Sequence, residues 1–548
     1  MAFLPPYTDT VVFLDNYHRN FGGPGVDLQT GAHSQEPYLE ADGKTFVFGV
    51  EYSWKTNALR KLNPVSNTFC SSGAFFPDGT LVNPSGAETY AGDTDASVIQ
   101  DGRQALRYYA PGPCEGAYGA CTQDFDDQVN VLQSRRWYPT AQTLTNGDVV
   151  VVGGSDVGLL VTNEASINVP SYEIIKADKS APPPQVDFDL LKFDESENQN
   201  ANKSYNLYPI LHLLPNANGA NHVFTLAGNQ AIIHDFQTNT EIARLPDVPL
   251  EPRTFPSSAT VALLPLVAPN YDPEVLLCGG SSSDVPNPQA LADCYTIKPL
   301  SQTPQWTQTD SLPNGPQTMT DAVLLPDGTT LLLNGAHAGS AGGYMATDPV
   351  FQPLIYNASA PAGQKFTKQP STTIPRLYHS IAILLPSGQV LVAGSNPDVF
   401  YAAKGNPSIN NVYPEFFNNG HKSFLHQQQG KDEDHPTEYR VEIFSPSYMD
   451  APTRPVIKRL PNQVRFGQEF QIAAEGLAGD VKVRMANAGF VTHAVGMGQR
   501  MVELETRMEN GTVIVKGPRD GSVMPPGVYL LFVVVDEVPS EGQWVKVE

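Results

Sequence analysis

Tyr378 and His379 set a phenol beside an imidazole, two groups able to ligate a transition metal or to move a proton. On a regular strand, neighbours face opposite sides of the sheet, so the two rings can share one centre only where the pleat breaks, at a strand end or bulge. Pro375 lies just upstream and makes such a break plausible, and the apolar run Ile381-Ala-Ile-Leu-Leu385 follows, ending in a turn. Taken alone, the pair reads as readily as a buried tyrosine beside a surface histidine. Cys70 also invites chemistry. Of the five cysteines, Cys114 and Cys121 flank one short loop and Cys278 and Cys294 another, so two local disulfides would use four. The fifth, Cys70, is either a small buried hydrophobe or a thiol with a role. His493, in Gly489-Phe-Val-Thr-His493-Ala-Val-Gly-Met-Gly-Gln499-Arg500, reads by itself as a loop histidine.

The elements that must position these groups are β-strands. The 548 residues contain 45 Gly and 48 Pro but only 17% charged residues, the balance of a turn-rich β protein. A chain of this length is expected to form two domains, or one large repetitive domain with an appendage. The formal net charge of -23, with no cluster of Lys or Arg, argues against nucleic acid and anionic membranes as partners. No apolar run reaches the ~18 residues of a spanning helix.

The chain repeats itself. Phe76-Pro-Asp-Gly79, Leu144-Thr-Asn-Gly147, Leu325-Pro-Asp-Gly328 and Leu385-Pro-Ser-Gly388 each precede an apolar run, the pattern of a hairpin turn between two strands. Weaker copies occur at Leu213-Leu-Pro215, Leu263-Leu-Pro265 and Ala41-Asp-Gly43. Recurrence at intervals of roughly 50–70 residues suggests kelch-like blades with insertions, hence a seven-bladed β-propeller over residues 1–437. Two insertions stand out: residues 176–205, read as a solvated loop, and residues 397–437, which could overhang the Tyr378-His379 segment. From residue 438 to 548 short alternating strands such as Val481-Lys-Val-Arg484 and Thr512-Val-Ile-Val515 indicate a C-terminal immunoglobulin-like β-sandwich.

Asn202-Lys-Ser204, Asn357-Ala-Ser359 and Asn510-Gly-Thr512 match the glycosylation pattern, and with the cysteines they point to a secreted, extracellular glycoprotein. The segment Met1-Ala-Phe-Leu-Pro-Pro-Tyr7 lacks the basic and apolar regions of a signal peptide, so the sequence reads as a mature or trimmed form.

Taken together, Phe69-Cys70-Ser-Ser-Gly-Ala, Arg136-Trp-Tyr138-Pro-Thr, Asn168-Val-Pro-Ser-Tyr172, Arg376-Leu-Tyr378-His379-Ser, Gly394-Ser-Asn-Pro397 and Thr492-His493 resemble, in order, the copper radical oxidases, glyoxal oxidase above all. The resemblance spans roughly residues 60–548 and implies a seven-bladed propeller followed by an immunoglobulin-like domain. It further implies one copper per chain held by Tyr138, Tyr378, His379 and His493, with Tyr138 redox-active and joined to Cys70 by a thioether. Tyr378 would take the substrate proton. Small aldehydes of the glyoxal or methylglyoxal type would be oxidised to carboxylic acids while O2 is reduced to hydrogen peroxide. Partners would be the small-molecule substrate and O2, with peroxide-consuming enzymes acting indirectly on a monomer. The segment ending Leu81-Val-Asn-Pro-Ser-Gly86 and the Ala-Val-Gly-Met-Gly after His493 depart from the family pattern. Trp137 reads either as a shield stacked on the Tyr138 ring or, at least as readily because strand neighbours face opposite ways, as core packing; Arg136 and Arg500 read as orienting substrate or, by preference, as pairing with buried carboxylates. The competing classes are an alcohol or galactose oxidase giving aldehydes, a kelch-type interaction module with no copper, and a carbohydrate-binding protein with exposed aromatic platforms.

Overall fold

The computed structural model describes residues 1–17, 47–89, 99–110, 112, 123–157, 161, 163–180, 184–192, 204–282, 288–342, 345–396, 435 and 437–548. Regular structure among them is all β apart from short 3-10 turns. In the first part of the chain, successive antiparallel sheets begin at Ala2–Phe3, Ala74–Phe75, Thr140–Thr143, Ile210–Leu213, Thr260–Leu263, Asp321–Leu324 and Ile381–Leu384. The six after Ala2–Phe3 are followed, in the next strand of their sheet, by an antiparallel partner. First strands such as Thr140–Thr143 and Ile381–Leu384 are wholly buried, while last strands such as Asp126–Gln128, Thr240–Arg244 and Phe366–Lys368 are largely exposed. Neighbouring first strands abut one another, so each sheet runs from a shared centre to a solvated rim.

The repeated turns explain why the sheets look alike. In all four, the glycine N–H donates to the carbonyl three residues back at 2.9 Å, and the glycine φ lies between 87° and 90°. That region is open to glycine at little steric cost, which is why the repeat ends in Gly. A second device recurs at the other end of the second strand. Ser85, Gly153, Gly279 and Gly394 all have φ between 62° and 74°, and each offers its carbonyl to a buried arginine: Arg107, Arg136, Arg253 and Arg376. These arginines also pair with Asp127, Glu173, Asp293 and Glu442, neutralising the charge that burial would otherwise leave uncompensated.

The C-terminal part packs two sheets face to face. One contains Val481–Asn487, Arg500–Leu504, Gly527–Val535 and Gln543–Val547; the other contains Val456–Arg459, Glu469–Glu475, Thr506–Glu509 and Thr512–Lys516. Gly527–Val535 is buried along its whole length, because its two faces enter different cores. Leu531 and Val533 meet Ile472 and Val513 inside the sandwich, whereas Leu530, Phe532 and Val534 pack with Leu324, Ile383 and Leu391 of the first part. The apolar run GVYLLFVVV thus lacks the alternation of a half-solvated strand for a packing reason. Arg500 crosses the same boundary, donating to Leu213 O, Val523 O and Ser522 O. Burial lowers it to about 10, and its role is structural, as expected.

Two readings of the sequence change. Residues 176–205 are not simply a solvated loop: Gln185–Asp187 is the outer strand of its sheet, and Phe188 and Leu191 behind it are buried. Apolar anchors four and seven residues beyond a Pro run were the missed signal. The boundary at residue 438 also moves, since Glu442–Phe444 pairs with Val390–Ala393 and completes the sheet begun by Ile381–Leu384. The strands proper to the sandwich begin at Val456. Cys278 and Cys294 form the expected disulfide, and Cys70 is buried and takes part in no disulfide. Cys114–Cys121, Asn202, Ala41–Gly43 and nearly all of 397–437 lie outside the described residues.

Candidate metal centre

The first strands begin with an unusual backbone. Tyr138, Tyr208, Ser258, Met319 and His379 each stand two residues before a first strand, and all have positive φ, between 42° and 65°. Cys70, upstream of Ala74–Phe75, has φ 56°. A left-handed non-glycine residue costs roughly 1–2 kcal/mol, so such a cluster marks a place where side-chain direction outweighs strain. The kink also links neighbouring sheets: Tyr138 N–H donates to Cys70 O at 3.3 Å, Tyr208 N–H to Tyr138 O at 2.7 Å, and Met319 N–H to Ser258 O at 2.9 Å. For Tyr378 and His379 it removes the pleat that would have parted them. Their rings stack with centroids 3.7 Å apart.

His493 arrives from the other direction. Phe490–Thr492 and Val495–Met497 form a hairpin that leaves the sandwich, pairs with Ala2–Phe3 and runs between the first strands. Its two tip residues, His493 (φ 51°) and Ala494 (φ 61°), are both left-handed, as a two-residue type I′ turn requires. The departure Ala-Val-Gly-Met-Gly therefore belongs to the hairpin itself. Likewise Leu81-Val-Asn-Pro84 is an ordinary second strand.

These segments converge. Cys70 Sγ lies 3.5 Å from His493 Nε2, and the Tyr138 and Tyr378 hydroxyls are 3.4 Å apart. The His493 ring is 4.7 Å from that of His379, and 5.4 Å from those of both Tyr138 and Tyr378. Metal-capable atoms of Cys70, His379 and His493 lie within 4.8 Å of one another. His379 Nδ1 faces Asn396 O at 2.9 Å; a carbonyl only accepts, so Nδ1 carries the proton and Nε2 presents its lone pair. Gly394-Ser-Asn396 is thus the support that orients His379. Burial holds the His493 imidazole neutral, well below its ordinary range, and pushes the Tyr138 phenol and the Cys70 thiol well above theirs. The five residues assigned to the centre from the sequence, Cys70, Tyr138, Tyr378, His379 and His493, come together here. Burial on this scale excludes bulk water from Tyr138 and Cys70, 1% and 0% exposed.

Trp137 meets both of its readings, being buried in the core and placed against Tyr138. Because Tyr138 is left-handed, the alternation rule fails locally, and the indole lies over the Tyr138 ring with centroids 4.0 Å apart. Arg136 is structural, as expected, held by Glu173 and two carbonyls. Sequence reasoning passed over Tyr208 and Phe255, whose rings lie 5.2 and 4.8 Å from Tyr138. Tyr208-Pro209 repeats Tyr138-Pro139 before the next first strand, a signal that was present. Beside His379 and His493 opens a cavity of about 170 Å³, whose lining includes the apolar Phe48, Phe69 and Leu59 and the polar Ser395, Thr437 and Glu438.

Comparison with known proteins agrees with this geometry. The family model "Glyoxal oxidase N-terminus" matches residues 3–418, and "Galactose oxidase-like, Early set domain" matches residues 454–547. An aldehyde oxidase GLOX of Vitis pseudoreticulata is 33% identical over 98% of this chain and 92% of its own length. Aldehyde oxidase GLOX1 of Arabidopsis thaliana is 33% identical over 90% of this chain and 73% of its own. A copper-complexed fungal alcohol oxidase shares the fold, with a TM-score of 0.69 at 16% identity, covering 100% of this chain and 96% of that one. With a family model spanning most of its length and the tyrosine, histidine and cysteine segments gathered at one point, the chain belongs to the glyoxal oxidase family, and so to the copper radical oxidases.

Proposed function

We propose that this protein oxidises small aldehydes, as their hydrates, to carboxylic acids: RCH(OH)2 + O2 gives RCOOH + H2O2. The observation that carries the reading is the meeting of Cys70, Tyr138, Tyr378, His379 and His493 around one buried point. Two neutral imidazoles and two phenols suit a tetragonal copper(II) site with room for substrate. Bound copper supplies a one-electron acceptor and a charge that favours phenolate. Tyr138, Tyr378, His379 and His493 would hold it. Without a cation, a buried phenolate at Tyr138 is strongly disfavoured, so the donor set fits a metal and fits little else.

Tyr378 Oη, stacked on His379, accepts the hydroxyl proton of the substrate. Tyr138, joined through its ring to Cys70 Sγ, is the one-electron group that takes hydrogen from the substrate carbon. Trp137 covers its face and keeps water from it. The cavity beside the histidines holds a small molecule, and no Lys or Arg side chain is among its described lining residues, so neutral aldehydes are preferred to carboxylate-bearing ones. The successive sheets are read as the seven blades of one propeller, with the sandwich as the second domain supplying His493. Secretion is supported by the Cys278–Cys294 disulfide and by the exposed Asn357 and Asn510. A peroxide-coupled screen of copper-loaded protein tests the activity. Turnover of methylglyoxal and glyoxal above that of galactose and primary alcohols is expected, and the reverse order would refute it.

A further inference from the structure

We propose that one small monovalent anion, chloride in kind, binds where the hairpin carrying His493 leaves the sandwich, held by Arg500, His212 and Asn487, and that it ties the root of that hairpin to the surrounding first strands. Neither the copper assignment nor the activity enters this inference.

Charge balance is the first observation. Arg107, Arg136, Arg253, Arg376 and Arg484 are all buried, and each pairs with a carboxylate. Arg500 is buried as deeply as Arg484, yet among the described residues it forms no ion pair. Its contacts are the three carbonyls of Leu213, Val523 and Ser522. A guanidinium carries five N–H groups, so two are left without an acceptor among the described residues. Asp520, whose field reaches Arg500, is itself paired with Arg519. Tyr529 is a neutral phenol that donates to Pro525 O at 2.7 Å. A buried charge without a counter-charge is costly, and a bound anion offsets that cost.

Space and donors are the second. Arg500 lines a cavity of about 20 Å³, room for about one water-sized sphere. A monatomic ion fits there; acetate, sulfate and larger anions do not. His212, only 8% exposed, lines the same cavity, and its Nε2 has no partner. Asn487 accepts the Gly489 N–H with Oδ1 at 2.9 Å, which leaves its amide N–H groups to donate. No Asp or Glu is among the described lining residues. Burial, with Arg500 nearby, lowers His212 to about 3, so the imidazole is neutral and still offers one N–H. The site therefore carries the single positive charge of Arg500, which one monovalent anion balances. A water molecule could satisfy the donors but would leave that charge unmatched.

Position gives the site its consequence. Asn487 and Arg500 are register partners at the point where Val481–Asn487 and Arg500–Leu504 give way to the hairpin of Phe490–Thr492 and Val495–Met497. The facing lining includes Thr143, His212 and Leu263, from the first strands of three sheets. Gln499, also in the lining, clasps a fourth: it accepts Leu324 N–H at 3.0 Å and donates to Ala322 O at 3.1 Å. An anion among these groups closes the remaining contact around the root of the hairpin.

The test uses full-length, copper-free protein at constant ionic strength, with methanesulfonate, too large for the cavity, replaced stepwise by chloride or bromide. Halide should lower the unfolding equilibrium constant saturably, by roughly a hundredfold at about a hundred times its dissociation constant. Deuterium uptake across residues 490–497 should slow in parallel, and bromide-soaked crystals should show one anomalous peak against Arg500 and His212. His212→Leu removes one donor and should weaken halide affinity by about tenfold, the range for a hydrogen bond to a charged group. Arg500→Met removes the charge and should abolish the halide response; should it fail to fold, His212→Leu decides the same question. Equal stability and uptake in chloride and methanesulfonate, or a water in this cavity with no bromide peak, would overturn the proposal. No outcome depends on copper uptake, so failure of the copper assignment would leave it standing.

Discussion

The two ends of each first strand make an instructive pair. At one end the chain turns back through Gly79, Gly147, Gly328 or Gly388; at the other it enters through Tyr138, Tyr208, Ser258, Met319 or His379. Both ends use left-handed backbone. At the turn no side chain is needed, and glycine takes the conformation without strain. At the entry the same conformation is imposed on residues that resist it, and the return is a set of side chains aimed at one point between the sheets. Strain here is spread over several residues, of which Tyr138, Tyr208 and Met319 are held by N–H bonds to the neighbouring sheet, and that suits a centre whose geometry must not relax.

If this contrast is right, changes at the entry end should affect chemistry and those at the turn end stability. The largest effect is expected for His493→Ala, which should lose stoichiometric copper and reduce turnover by well over a hundredfold, beyond the range for outer partners. Tyr138→Phe should be equally inactive while melting within a few degrees of wild type. Retained copper and peroxide output in His493→Ala would break the comparison at its most important point.

Next comes Asp321, which opens a first strand two residues after Met319. Burial raises its carboxyl to about 7 from an ordinary 3.8, although Asn334 and Ser380 donate to it. A carboxyl with a raised folded pKa binds its proton more tightly in the native state, so this stabilisation is complete below about pH 4 and is lost as pH rises through about 7. Asp321→Asn should therefore gain on wild type between pH 5 and pH 8, by up to a few kcal/mol. Urea melts at those two pH values that show the same difference would contradict the assignment.

At the turn end, Gly147→Ala should destabilise by about 2–3 kcal/mol, since the backbone has φ 87° and the new Cβ would lie 2.2 Å from Pro77 Cγ. Gly388→Ala meets nothing closer than 3.4 Å and should cost only about 1 kcal/mol. Neither should alter turnover per copper. The smallest effect is expected for Ser258→Gly, which relieves a φ of 46° and removes a buried hydroxyl without a partner. It should be neutral or stabilising by up to about 1 kcal/mol, with unchanged activity. A thermal melt showing a clear loss would mean that the entry residues are not strained in the sense argued.

The turns were readable because their requirement is local: Leu-Pro-Asp-Gly states within four residues where the backbone goes left-handed. The local groups were readable for the same reason. An odd cysteine, a Tyr-His pair and a Thr-His pair can be seen without knowing what they face. Trp137 stayed open between core packing and a cover for Tyr138 because the period-2 rule holds only on a regular strand, and nothing nearby declares that Tyr138 leaves it.

The sequence by itself determined an all-β chain, its repeated hairpins, the Cys278–Cys294 disulfide and the residues of the candidate centre. Tertiary structure alone decided that Gly527–Val535 is buried on both faces, that Glu442–Phe444 completes the sheet of Tyr378 and His379, and that Tyr208 belongs with Tyr138. It also decided that residues 423 positions apart, Cys70 and His493, lie 3.5 Å from one another. Turn chemistry and strand pattern are set by neighbours a few residues away, whereas side-chain direction at a strand entry depends on which carbonyl the adjacent sheet presents, and that exists only once the sheets have packed.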